Sequence, residues 1–184
     1  YGLHITGGSV ANGFDQNPIN NASMKELYGS SLVNISTTNQ PISNSNAYFL
    51  FVRGSRANNL ALLANAPADN VTLRIHGNVK QGNQSIPISG RGWKLIGNPF
   101  ASRINLDNIV VNNSTLINRN FNFWDPKLGG SNNVGGYVTA SFNGSTYDFT
   151  PTPISNLSEY AQPFAAVYVD AIAAGNLTIN ENNK

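Results

Sequence analysis

The sequence predicts an all-β chain: an antiparallel β-sandwich, jelly-roll-like, with little helix. Three observations point there. Only 11% of residues are charged, well under the roughly 25% of an average domain. Asn, Ser, Thr and Gly stand in for charge, and their side chains compete with a helical backbone for hydrogen bonds. Short apolar runs recur between Gly, Asn and Pro punctuation, the spacing of strands and turns.

Taken in chain order, Ala47–Val52 is an uninterrupted apolar run before Gly54, which reads as a strand covered on both faces. Val71–His76 alternates, with Val71, Leu73 and Ile75 inward. Gly92–Gly97 is a third strand, stopped by the turn dipeptide Asn98-Pro99. Phe164–Val169 and Leu177–Ile179 complete the set near the C-terminus. Asn143-Gly144 predicts a two-residue hairpin turn, pairing Phe142 with Ser145, Ala140 with Tyr147 and Val138 with Phe149. Helix is expected only at Ala22–Tyr28, for two turns, and at Ile104–Ile109, for one. Thr150–Ser155, with two prolines, reads as an extended connection. The 184 residues suit a single sandwich domain, with residues 1–45 the least defined part, either an N-terminal arm or added strands.

Several function classes are excluded or disfavoured. The 11 basic and 9 acidic residues are scattered, without the clustered Lys and Arg of a nucleic-acid binder. No apolar run reaches the ~18 residues of a membrane-spanning helix. With no cysteine, disulfides and thiolate metal sites are ruled out. No signal peptide opens the chain, so an exported protein is expected here in mature or trimmed form.

A set of segments carries a resemblance: Ala47-Tyr-Phe-Leu-Phe-Val-Arg-Gly54; Thr72-Leu-Arg74 with Gly77; Gly92-Trp-Lys-Leu-Ile-Gly-Asn-Pro-Phe100; Trp124-Asp-Pro126 with Gly136-Tyr137; and Gln162-Pro-Phe164 with Leu177-Thr-Ile179 and Glu181. In this order they resemble a β-rich region of large secreted and cell-surface proteins of the Bacteroidota, one that precedes the C-terminal sorting domain of the type IX secretion system. The resemblance spans residues 45–184, and Gly92–Phe100 is its most specific part. It implies export and display at the cell surface, and no reaction. The Gln162-Pro-Phe-Ala-Ala-Val167 stretch departs from the Gln-Ala-Phe-Phe-Val type strand of that family.

Candidate chemistry is thin. Only His4 and His76 are available as bases, and neither accompanies a nucleophile motif. The acids Asp15, Glu26, Asp69, Asp107, Asp125, Asp148, Glu159, Asp170 and Glu181 show no spacing that singles out a catalytic pair. Asp125, in Trp-Asp-Pro, is expected to bond nearby backbone and shape a turn. Asp125, Asn132 and Asn133 share a Gly-rich loop but lack the ligand density of a calcium loop. Gly90–Gly97 superficially resembles a phosphate loop, without the Lys-Ser/Thr ending. No catalytic residue, metal or cofactor is therefore assigned. Trp93 shares strand parity with Leu95 and is expected in the core. Trp124 and Tyr137 flank the Gly-rich loop and are the candidate sugar-stacking residues, with burial in the core as the default for such large rings.

These observations predict a non-catalytic structural or adhesive module. Its expected partners are other copies of itself or neighbouring surface-protein domains, without nucleic acid and without a membrane span. One version is a surface fibre built by strand addition, with an extended arm such as Tyr1–Gly13 as donor. The alternative is a carbohydrate-binding module, for which glycans are the partner and exposed, coplanar aromatics the requirement.

Overall fold

A computed structural model describes residues 5–15, 21–29, 31–41, 47–52, 72, 77–129 and 135–184. Strands dominate, and every strand pair is antiparallel. In place of one domain with an indistinct first 45 residues, the chain groups into two compact units: Tyr1–Ser43 with Ala47–Asn78, and Asn44–Asn46 with Val79–Lys184.

The first unit holds a three-stranded sheet ordered β2-β1-β3: β1 (Met24–Tyr28), β2 (Ser31–Asn34) and β3 (Tyr48–Leu50). The helix expected at Ala22–Tyr28 is strand β1. Two helical turns are marginal alone, whereas here the backbone bonds a neighbour on each side, with Glu26 opposite both Val33 and Tyr48. Ile5, Phe14 and Met24 form its core, joined by Ile35 and Tyr48. The apolar run at 47–52 is not covered on both faces: Phe51 and Val52 are 54% and 45% exposed. Residues 5–13 are not an extended arm either. The Asp15 N–H donates to the Ile5 carbonyl at 2.7 Å, Ser23 N–H donates to the Thr6 carbonyl at 3.2 Å, and a 3₁₀ turn spans Val10–Asn12. The strand expected at Val71–His76 lies outside the described residues except for Thr72.

The second unit contains β4 (Gln84–Ser89), β5 (Gly92–Gly97), β6 (Ile104–Asn105), α1 (Leu106–Asn112), β7 (Ile117–Asp125), β8 (Gly136–Phe142), β9 (Tyr147–Thr150), β10 (Tyr160–Ala161), β11 (Ala166–Ala171) and β12 (Ala174–Ile179). A five-stranded sheet runs β5-β11-β7-β8-β9; β4 pairs with β12, and β6 with β10. β4 and β7 stand where no strand is predicted.

The five-stranded sheet and the β4-β12 pair share one ribbon. Gln84 faces Ile179 and Ser89 faces Ala174; after two unpaired residues on each side, Gly92 faces Ala171 and Gly97 faces Ala166. The register never slips, so one face stays inward throughout: Ile86, Ile88 and Ile96 on one strand, Val167, Val169, Leu177 and Ile179 on the other. Where the ribbon leaves one sheet for the next, Gly90 and Gly92 adopt φ of 145° and 105°, a region that L side chains avoid. The same core takes Phe121 and Phe123 from β7 and Leu106, Ile109 and Val110 from α1.

Helix α1 begins two residues later than expected because Asn105 caps it, its side chain accepting the Asn108 N–H at 3.0 Å. Asn113 at the other end is buried and fully used. Its amide donates to the Ile109 and Thr178 carbonyls at 2.8 and 2.9 Å, and its oxygen accepts the Thr178 N–H at 2.9 Å. Helix and β12 are thereby fastened together.

The hairpin at Asn143-Gly144 is present, with a longer loop than expected. Phe142 pairs with Tyr147 and Ala140 with Phe149, a shift of two residues. Asn143 causes it: its side-chain oxygen accepts the N–H groups of Ser145 and Thr146 at 3.1 and 2.9 Å, so the turn closes over four residues. A shift of two preserves which face each side chain occupies. Strand β11 starts at Ala166, not Phe164, which sits at φ 65° and is 71% exposed in the preceding turn.

Gly92 has open space around a would-be Cβ, so only its backbone angle penalises a side chain. Gly92→Ala is expected to cost about 1–3 kcal/mol, read as a lower urea midpoint. Ser85→Ala, on the exposed face of β4, should stay within about 0.5 kcal/mol.

Candidate functional site

The outer face of the five-stranded sheet follows from strand alternation. On β7, Phe121 and Phe123 point into the core, so Asn122 and Trp124 point away. Across the ladder Asn122 faces Thr139 on β8 and Tyr168 on β11, while Trp124 faces Tyr137. On β5, Leu95 faces Tyr168 and Trp93 faces Asp170. Asn118 completes this surface, its amide donating to Asp170 at 2.8 Å.

The two sequence candidates therefore meet. The rings of Trp124 and Tyr137 lie 4.9 Å apart at 76°, edge to face, and Tyr137 meets Tyr168 at 5.8 Å and 76°. Trp124 and Tyr137 are 37% and 47% exposed, so the expected burial of this pair does not hold. Trp93, also expected in the core, is 42% exposed. Its parity with Leu95 is right, but the inward side of β5 is that of Ile96, with Lys94 beside it. The rings interlock at steep angles and do not lie in one plane.

Between them is a polar centre. Thr139 donates its hydroxyl to Asn122 Oδ1 at 2.6 Å, and Asn122 Nδ2 has no bond among the described residues. Burial, a hydrogen bond to Tyr137 and that neighbour's charge together push the Tyr168 hydroxyl above its usual range, so it stays protonated at any physiological pH. Tyr168, Asn122 and Thr139 were not singled out by sequence. The alternation of Asn118, Asn120 and Asn122 with Phe121 and Phe123 is the signal that places them.

Asp125, at the end of β7, is fully buried and does shape a turn, through Lys127 N–H at 2.9 Å. It reaches further as well. Oδ2 accepts the N–H groups of Ile154 and Ser155 at 2.7 and 2.8 Å, and Oδ1 takes the Ser155 hydroxyl at 2.5 Å. Burial alone would raise its pKa, but these hydrogen bonds outweigh it and hold the carboxyl at about 2. Four donors occupy the carboxylate, so it is committed to the loop at 151–159. Asn132 and Asn133 lie outside the described residues, as do His4 and His76.

Other described acids of this unit make structural contacts. Asp107 accepts the Tyr147 hydroxyl at 2.9 Å and pairs with Arg119 at 3.2 Å. Glu181 pairs with Lys184 and accepts the Gly82 N–H at 2.7 Å. Among the described residues no cluster of three or more His, Asp or Glu side chains is placed to hold a metal ion, and no helix is long and apolar enough to cross a membrane.

Protein-family models, curated proteins and solved structures give no match to this chain.

Asp125 yields a pH prediction. Its folded pKa lies below the usual 3.8, so its contribution is complete above about pH 4 and disappears as pH falls toward 2. Asp125→Ala leaves the N–H groups of Lys127, Ile154 and Ser155 without their acceptor. It should cost about 2–4 kcal/mol at pH 7 and flatten the acid limb of stability against pH, measured by denaturant unfolding.

Proposed function

We propose that this chain is a non-catalytic structural and adhesive module of a secreted, surface-displayed bacterial protein. The observation that carries the reading is an exposed, almost uncharged sheet face that sets Trp93, Trp124 and Tyr137 beside Asn and Thr side chains. Exposed aromatics of this size mark contact surfaces more often than solvent-facing filler. The resemblance at Gly92–Phe100 supports export and surface display. In that segment Ile96 and Phe100 enter the core. Asn98 donates to the carbonyls of Ser102, Ala161 and Gln162 at 2.8, 3.1 and 3.1 Å and accepts the Phe100 N–H at 2.9 Å, which gives that motif a structural purpose.

Fibre assembly by strand addition remains part of this reading, with a different geometry from a donated Tyr1–Gly13 arm. In the second unit two of the sheet edges are blunted, by Pro87 on β4 and by Lys94 on the inward side of β5. Strand β2 differs. It pairs with β1 alone among the described residues, is exposed along its whole length and carries Leu32 and Val33 without a charge. That is an accepting edge.

A second reading, a carbohydrate-binding module, is favoured by the exposure of Trp93, Trp124 and Tyr137, since burial of these rings was the expectation of a purely structural unit; the coplanar stacking platform expected of such a module is not formed, the rings of Trp124, Tyr137 and Tyr168 meeting at 76°.

Light scattering with negative-stain microscopy tests the assembly version. Regular fibres or large particles are expected, and Val33→Lys, which places a charge on the β2 edge, should reduce them to monomers. A monodisperse monomer at every concentration sinks the fibre version and leaves adhesion through the outer sheet face.

A further inference from the structure

We infer that the outer face of the five-stranded sheet binds a neutral glycan, centred on Asn122 and walled by Trp93, Trp124, Tyr137 and Tyr168. The inference rests on the carbohydrate-binding reading and names its ligand class and its central donor.

Charge decides the class. On the outward positions of the five-stranded sheet the carboxylates are Asp170, one of whose oxygens is taken by the Asn118 amide at 2.8 Å, and Asp148 on the edge strand β9, which accepts the Asn143 amide at 3.0 Å. No Lys or Arg stands on these positions. A uronate, sulfate or sialate would have no cation to meet and would approach an acidic group. A neutral sugar has only hydroxyl groups and C–H faces to satisfy, and this surface supplies partners for both.

Asn122 is the polar anchor. Its Oδ1 is turned toward Thr139 by the 2.6 Å hydrogen bond, which fixes the amide plane and leaves Nδ2 as donor. Thr139 spends its proton on Asn122 and keeps oxygen lone pairs for a sugar hydroxyl. The Tyr137 ring is held between Trp124 and Tyr168 at 76° to each, so it is oriented before any ligand arrives and little ordering cost remains on binding. A docked protein would want continuous apolar area at its centre. Here a hydrogen-bonding pair interrupts the rings, which suits a saccharide.

Affinity electrophoresis of the full chain in gels of neutral polysaccharides (mixed-linkage glucan, xylan, mannan) and acidic ones (polygalacturonate, alginate, heparin) tests this. Retardation by at least one neutral polymer is expected, unchanged by 0.5 M salt, roughly what uncharged contacts require. Asn122→Asp keeps an acceptor for Thr139 and removes the amide donor. It should weaken binding about tenfold or more, the range expected for a lost buried donor, with an unchanged melting temperature. Tyr137→Ala should weaken binding comparably, and Ser85→Ala should bind as the parent chain does. Retardation by acidic polymers alone, or by none, overturns the inference, as does parental binding by both Asn122→Asp and Tyr137→Ala. Particles or fibres in light scattering, together with no glycan retardation, overturn it while leaving the adhesive-module reading intact.

Discussion

The second unit depends on one uninterrupted register. Residues 84–97 run against 166–179 without a slip, and the ribbon they form contributes to the five-stranded sheet and to the β4-β12 pair. Even its closest pair, Gly97 with Ala166, lies roughly 70 residues apart in sequence. Closing so long a loop is entropically costly, and nothing local rewards it until the inward side chains meet. The ribbon therefore ties together elements that lie far apart in the sequence. Gly90 and Gly92 make it possible, because at their φ values the strand changes sheet without turning its apolar side outward.

Asparagine then does the work that charge does in other proteins. Asn98 fastens the segment after β5 to the segment after β10, Asn113 fastens α1 to β12, Asn105 caps the helix and Asn143 shapes the hairpin loop. An amide carries donors and an acceptor on one short side chain, so it can satisfy carbonyl and N–H groups at loop junctions without the desolvation cost of an ion. Seen this way, the scarcity of charge in the sequence reflects how the loops are held. Asp125 is one exception, a buried carboxylate held well below the usual carboxylate range because four donors converge on it.

Much of the larger unit was legible and much of the rest was not, for identifiable reasons. Gly92–Gly97 and the C-terminal strands follow from apolar runs, and the hairpin from Asn143-Gly144. Its register was off by two because Asn143 acts through its side chain, which a dihedral preference does not reveal. Strand β4 hides behind Pro87, which in most sheets argues against a strand and is tolerated here at an open edge. On β5 the alternation puts Trp93 and Leu95 on one face and Lys94 and Ile96 on the other, and only the partner strand decides that Ile96 is inside and Trp93 outside. Met24–Tyr28 has good helix formers, yet two flanking strands outweigh propensity. Trp124 and Tyr137 were identified from their position beside a Gly-rich loop. That they face each other, with Tyr168 alongside, needed the pairing of three strands.

The division of labour across the central sheet bears on function. Everything that sets the fold of the second unit lies on or below one face: the inward isoleucines and phenylalanines, the helix, the amide fastenings and the Asp125 clamp. The outer face contributes little that the core requires, yet it holds an aromatic trio in fixed edge-to-face contact and a hydrogen-bonded Asn–Thr pair. Exposed aromatics cost solubility and invite association, so a purely structural strand would carry Thr or Lys at those positions. Their presence on the side freed from structural duty is the physical reason to place recognition there rather than in any loop or carboxylate cluster.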